Sequence, residues 1–164
     1  MGDTRSIDVT LFRALHLATR QVTTGVEQQL QEAAGVSLPE FEILSALAQL
    51  PDHRARPREI GDMLAWEKSR TSHQVTRMQK RGLLERFECD ADMRGTWVVL
   101  SPAGARAALA AESAYVAAIE AQLGPLASSA DRESLAQQLL AIGRDASPAT
   151  CQGEVAALES SLDR

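Results

Sequence analysis

Aromatic side chains are scarce in this sequence: Phe, Trp and Tyr together make up 4% of its 164 residues. With so few large rings, a core has to be assembled from Leu, Ala, Val and Ile. Long apolar runs are missing too, and none approaches the roughly 20 residues that a membrane helix needs, so no membrane partner is expected. The N-terminal MGDTRSIDVT shows no basic segment followed by an apolar core, which is not the pattern of a secretory signal. A cytoplasmic location is expected. There are two cysteines, Cys89 and Cys151, without CxxC spacing or a neighbouring histidine, and a structural disulfide is not expected of a cytoplasmic chain. Three scattered histidines (His16, His53, His73) do not form a metal-ligand set. Phosphate loop, nucleophile elbow and metal-hydrolase spacing are all absent. No catalytic residue, cofactor, metal or enzymatic activity is expected.

The net charge of −5 argues by itself against a polyanionic partner, but the charge is unevenly distributed. Between Arg54 and Arg86 stand nine Lys and Arg against four acids, a local excess of +5; the rest of the chain holds eight bases against eighteen acids, or −10. Local potential rather than total charge governs attraction to phosphates. Taken alone, such a stretch reads as an ordinary solvated face.

Periodicity divides the chain. From Asp8 to about Ala34, Leu11, Leu15, Ala18, Val22, Val26 and Leu30 recur at three and four residues, an amphipathic helix stopped by Gly35. Ser37, Pro39 and Glu40 supply a cap hydroxyl, a first-turn proline and a capping-box carboxylate for a second helix that halts near Pro51. Asp52 to Arg56 reads as a polar connection. Pro57 opens a short helix with Ile60, Met63 and Leu64 on one face, and Ala65-Trp66-Glu67 form a turn. Lys68 to Arg81 form a further helix closed by Gly82. Leu83 to Glu88 and Thr96 to Leu100 are strand-like, with Asp90 to Gly95 as hairpin tip. Ser101-Pro102 cap a helix to about Leu123 with Leu109, Val116, Ile119 and Leu123 on its apolar side. Another, near Ser129 to Ile142, buries Leu135, Leu139 and Ile142. After Pro148, Val155, Leu158 and Leu162 keep a faint helical pattern.

Helix, turn, helix and hairpin in that order spell a winged helix-turn-helix, in a mainly α fold with a small β-wing. On the Lys68 to Arg81 helix, Thr71, Val75 and Met78 share one face, while Ser69, Arg70, Ser72, His73, Thr76 and Arg77 cover the others. Hydroxyls, Arg and His on an exposed helix suit base edges and phosphates alike, and the first turn near Ser69 offers free amides. An ordinary surface helix is the competing reading, against which stands the lack of acids after Glu67.

From about Leu38 to Gly104 the sequence resembles the MarR family of bacterial transcription regulators. The resemblance is carried by SLPEFEILSALA, by KRGLLER, and by the wing DADMRGTWVVLSPAG with its Asp92-Met93-Arg94-Gly95 tip. It implies a homodimer: residues 1–36 form an N-terminal dimerisation helix, 37–101 the winged helix-turn-helix DNA-binding domain, and 102–145 C-terminal dimerisation helices, with 146–164 a tail. It implies a recognition helix from Lys68 to Arg81, with Lys68, Ser69, Arg70, Ser72, His73, Thr76 and Arg77 as DNA contacts. Arg94 becomes the minor-groove residue of the wing, held by Asp92 through a charge-assisted pair and turned by Gly95. Ser72-His73 stand where many members have Thr-Arg, so the operator sequence cannot be borrowed from relatives. Thr71 and Gln74 stand where apolar residues are usual.

The resemblance further implies repression of a pseudo-palindromic, double-stranded DNA operator and response to a small-molecule effector. The sequence names neither the effector nor the regulated genes. His16, Arg20 and Trp66 are candidate ligand-binding residues, each with a plain structural alternative. Two other readings keep the fold: an acidic winged-helix protein-interaction module, and a redox-responsive regulator acting through Cys89 or Cys151.

Overall fold

The chain opens on a single long helix, α1 (Thr4–Ala34), which begins ahead of the apolar pattern and ends where Gly35 takes φ +64°. The computed structural model describes residues 4–89, 92–126, 128–146 and 152–162. Helix α2 (Leu38–Ala48) starts on the expected capping box: the Glu40 amide donates to the Ser37 hydroxyl, and the Ser37 amide donates 2.9 Å to Glu40 Oε2. These bonds satisfy two amides that a helix start otherwise leaves open.

The connection expected over residues 52–56 contains a strand, β1 (Arg54–Ala55). Two residues are too few to show an alternating pattern, and what makes them a strand is distant pairing, Arg54 with Val99 and Ala55 with Val98. Helices α3 (Pro57–Met63) and α4 (Lys68–Lys80) follow. Gly82, at φ +74°, closes α4: its amide donates to the Gln79 carbonyl and that of Leu83 to the Met78 carbonyl, both at 3.0 Å. A residue with a Cβ would be strained at that angle.

Strands β2 (Leu84–Cys89) and β3 (Asp92–Leu100) complete an antiparallel sheet of order β1-β3-β2. The expected hairpin tip over residues 90–95 is therefore too long, because Asp92 to Gly95 belong to β3. Pairing runs in register from Leu84–Leu100 to Glu88–Thr96 and then jumps to Cys89–Asp92. Met93, Arg94 and Gly95 are thus extra residues on β3. Turn-forming residue types do not distinguish a tip from a bulged strand.

Helix α5 (Pro102–Gln122) is capped by Ser101, whose hydroxyl accepts from the Gly104 amide at 2.9 Å and donates to the Gly82 carbonyl at 2.7 Å. Helices α6 (Ser129–Ala146) and α7 (Gln152–Leu162) are the last described elements and are joined by Arg144, whose Nε donates 3.0 Å to Glu159.

One core serves the lobe formed by α2 to α4 and the sheet together with the long helices α1 and α5. Phe41, Ile43, Leu44 and Leu47 of α2, Ile60, Val75, Met78, Leu84 and Val98 pack with Val26 and Leu30 of α1 and with Ala108, Ala111 and Ala118 of α5. Each large apolar side chain buried there contributes roughly 1.5–3 kcal/mol. Several stripes expected to be buried are not. Leu11, Leu15 and Ala18 of α1, Met63 of α3, Leu109 and Val116 of α5, and Leu135, Leu139 and Ile142 of α6 are exposed. On α5 the inward face is the alanine face, which lets α1 approach closely, so the larger residues turn outward. Among the described residues nothing covers them.

Candidate nucleic-acid interface

The turn between α3 and α4 is fixed by local bonds. The Leu64 amide donates 3.1 Å to the Ile60 carbonyl, the Trp66 amide 2.8 Å to that of Gly61, and Ala65 between them adopts φ +52°. The Thr71 hydroxyl donates 3.2 Å to the Glu67 carbonyl, tying the first turn of α4 to its cap. These contacts decide which way α4 faces. Thr71, Gln74, Val75 and Met78 point into the core, and Lys68, Ser69, Arg70, Ser72, His73, Arg77, Gln79 and Lys80 are exposed. No residue of α4 is acidic.

All the expected contacts on α4 except Thr76 therefore lie on the solvent face. Thr76 is half-buried, and its hydroxyl is engaged twice: it donates 2.9 Å to the Ser72 carbonyl and accepts 3.0 Å from Arg86 Nη2 on β2. That second bond gives Arg86 a place beside the helix, which its position in the sequence does not announce. Arg70 lies over the Trp66 ring, its guanidinium carbon 3.9 Å from the centroid. The buried amide nitrogen of Gln74 has no hydrogen-bond partner among the described residues.

Arg81, at the cap of α4, reaches across the lobe. Its Nη1 lies 2.5 Å from Glu40 Oε2 and its Nη2 donates 2.7 Å to the Gly35 carbonyl, so one guanidinium joins α4 to the start of α2 and the end of α1. Glu40 is 2% exposed. Burial by itself would raise the Glu40 carboxyl's pKa; the Ser37 amide and the Arg81 guanidinium outweigh it and hold the group below its ordinary value.

In the wing, the backbone of Asp92, Arg94 and Gly95 runs in β3. The expected Asp92–Arg94 pair concerns side chains outside the described residues, as does the Cys89 thiol; Cys151 lies outside them altogether. Trp97 of β3 stands near two guanidinia, Arg54 at 5.0 Å and Arg56 at 5.3 Å, and Arg54 is also paired with Asp52 at 3.0 Å.

The three candidate ligand residues are not brought to one cavity. Trp66 lines a cavity of about 580 Å³ with Pro57, Arg58, Gly61, Asp62, Lys68 and Ser72, beside the exposed face of α4. His16 and Arg20 lie on the exposed part of α1, where His16 stacks on Phe12 with centroids 6.3 Å apart. Among the described residues, no group of three or more His, Cys, Asp or Glu is placed to hold a metal ion, and no helix is long and apolar enough to cross a membrane.

A two-helix motif with a solvent-facing second helix, followed by a paired hairpin, defines a winged helix-turn-helix protein. Residues 34–95 match the sequence profile of the MarR family. Among solved structures, the chain is similar to AbsC, a MarR family transcriptional regulator from Streptomyces coelicolor, at 28% identity and TM-score 0.75, over 88% of this chain and 95% of that one. Sco3205, a MarR family regulator of the same organism solved in complex with DNA, matches with TM-score 0.79 at 24% identity, over 88% and 90%. BpsR of Bordetella bronchiseptica, whose DNA binding is regulated by 6-hydroxynicotinic acid, matches with TM-score 0.70 at 18% identity, over 82% and 98%. No curated protein matches the chain by sequence. The chain thus has the winged-helix fold of these regulators and is similar in sequence to the MarR family over residues 34–95.

Proposed function

We propose that the chain is a cytoplasmic, non-catalytic transcription regulator that binds a pseudo-palindromic DNA operator as a homodimer, represses from it, and is released by a small-molecule effector. The observation that carries this reading is the face of α4. Lys68, Ser69, Arg70, Ser72, His73 and Arg77 are exposed together on a helix without a single acid, in a chain of net charge −5. Such a face offers charge to phosphates and hydrogen bonds to base edges. Thr76 acts through Arg86, which it holds beside the helix, and Arg94 enters the minor groove from the wing.

Two further observations support the assembly and the effector. The uncovered Leu11, Phe12, Leu109, Val116 and Ile142 are the kind of apolar surface a second copy covers. The regulation of BpsR by a small heteroaromatic acid supports an effector of that size.

Selection from random duplexes tests the proposal. It should return a palindrome with half-sites about 10 base pairs apart, centre to centre. Arg94→Ala should then weaken binding to that duplex at least tenfold in gel shift while sedimentation still shows a dimer. Recovery of no preferred sequence would instead favour a protein-interaction module.

A further inference from the structure

The sequence contains two tryptophans, and both stand beside arginines. They differ in what else those arginines do. Arg54, near Trp97, is already ion-paired with Asp52. Arg70 is exposed, and among the described residues neither a carboxylate nor a hydrogen-bond acceptor holds it. Its partner is the Trp66 indole at 3.9 Å, the closest of the three stacks.

Trp66 itself is well fixed. Its amide donates to the Gly61 carbonyl at 2.8 Å, and its half-buried ring packs against the core. The ring is thus a rigid platform in the turn, one helical turn before the arginine it carries. An unsupported arginine samples many rotamers, and ordering it on a ligand has a cost in entropy. A guanidinium held over an indole is restricted in its rotamers, and its N–H groups remain available to oxygen acceptors.

From this geometry we infer that Trp66 is a positioning residue for DNA binding: its indole holds Arg70 in the conformation that meets the operator. The inference rests on the DNA-binding reading above and deepens it. It also gives Trp66 a different task from the effector contact expected of it. The stack leaves the charge of Arg70 intact, so Trp66 governs how well that charge is aimed and not how many phosphates are neutralised.

The test is a double-mutant cycle in the full-length dimer on its selected operator, with Trp66→Leu, Arg70→Ala and the double variant. Each protomer contributes one stack, so small effects multiply in the dimer. Trp66→Leu is expected to weaken binding about tenfold, and Trp66→Phe, which keeps an aromatic face, only about threefold. Arg70→Ala is expected to weaken it more, and adding Trp66→Leu to it should cost less than twofold. Arg70→Ala should also flatten the dependence of log affinity on log salt, by about 0.9 for each phosphate that is no longer neutralised, whereas Trp66→Leu should leave that slope unchanged.

A merely structural role for Trp66 would give additive losses in the cycle, and additivity overturns the inference. So does an equal loss for Phe and Leu. A Trp97→Phe variant supplies a readout independent of folding energy, because Trp66 is then the sole indole. Its emission should shift when Arg70→Ala is added to the free protein, and an unchanged spectrum counts against the stack. Failure of the parent to select any duplex would overturn the DNA-binding reading itself, a result distinct from a parent that binds and a cycle that shows no coupling.

Discussion

Arg81→Met is expected to destabilise the fold by roughly 2 kcal/mol near neutrality. Removing one partner of a fully buried ion pair costs about 3–5 kcal/mol, because it strands a charge away from water. Glu40 is 2% exposed, but the Arg81 side chain is 47% exposed, so water reaches the vacated position and the cost falls below that range. For a chain of this length, each kcal/mol moves the melting temperature by about 2–4 °C, giving a loss of roughly 4–8 °C. The same pair sets a pH signature. The folded carboxyl ionises below its unfolded value of 4.5, so its stabilisation is complete above that value and disappears as the pH falls through the lowered one. In the variant, burial is opposed by Ser37 without Arg81, and Glu40 loses the part of that dependence which the guanidinium supplies. The gap between parent and variant, followed by circular dichroism on heating, should therefore close as the pH falls through the lowered pKa of Glu40. Glu40→Gln added to Arg81→Met should restore about half of the loss, since no charge is then buried. A gap that stays constant with pH, or a double variant no better than the single, would show that Arg81 acts through packing alone.

Two further substitutions address the scaffold. A Cβ at Gly104 would lie 2.1 Å from the Leu83 carbonyl oxygen, and only a backbone shift can relieve that, so Gly104→Ala should cost about 3 kcal/mol in urea denaturation with an unchanged m-value. Gln74→Leu removes a buried amide nitrogen that lacks a partner at nearly constant volume; it should raise stability by about 1 kcal/mol and leave DNA affinity unaltered within about twofold, because residue 74 faces the core. A destabilised Gln74→Leu protein would mean that the amide is satisfied in solution.

Elements whose ends are written in local chemistry were legible in the sequence. Ser37 with Glu40, Pro57, Gly82, and Ser101 with Pro102 each mark a boundary that the fold keeps, since caps and stops need only residues a few positions apart. The exposed face of α4 was legible for the same reason, as a helix has one period. Features made by distant partners were not. Strand β1 exists because Val98 and Val99 pair with it, and the Arg81–Glu40 contact spans 41 positions. Helical periodicity gives α5 an apolar side but does not say that alanines rather than Leu109 and Val116 turn inward. Trp66 stands out in the sequence as an aromatic next to a helix; that Arg70 lies on it depends on rotamers that no spacing rule fixes. Likewise, His16 and Arg20 stand out by residue type, while their distance from the cavity beside α4 is a property of the folded chain.

The three-way contact of Arg81 has a mechanical consequence. The end of α1, the start of α2 and the end of α4 share one guanidinium, and the core beneath them already includes Val26 and Leu30 of α1. Sliding α4 against the final turns of α1 would break a charged bond and open packed surface at once. The lobe and the last third of α1 are therefore welded. In the dimer proposed above, a change in the distance between the two α4 helices would then have to come from bending or pivoting nearer the exposed, N-terminal stretch of α1, with each lobe carried along like the head of a hammer on its handle.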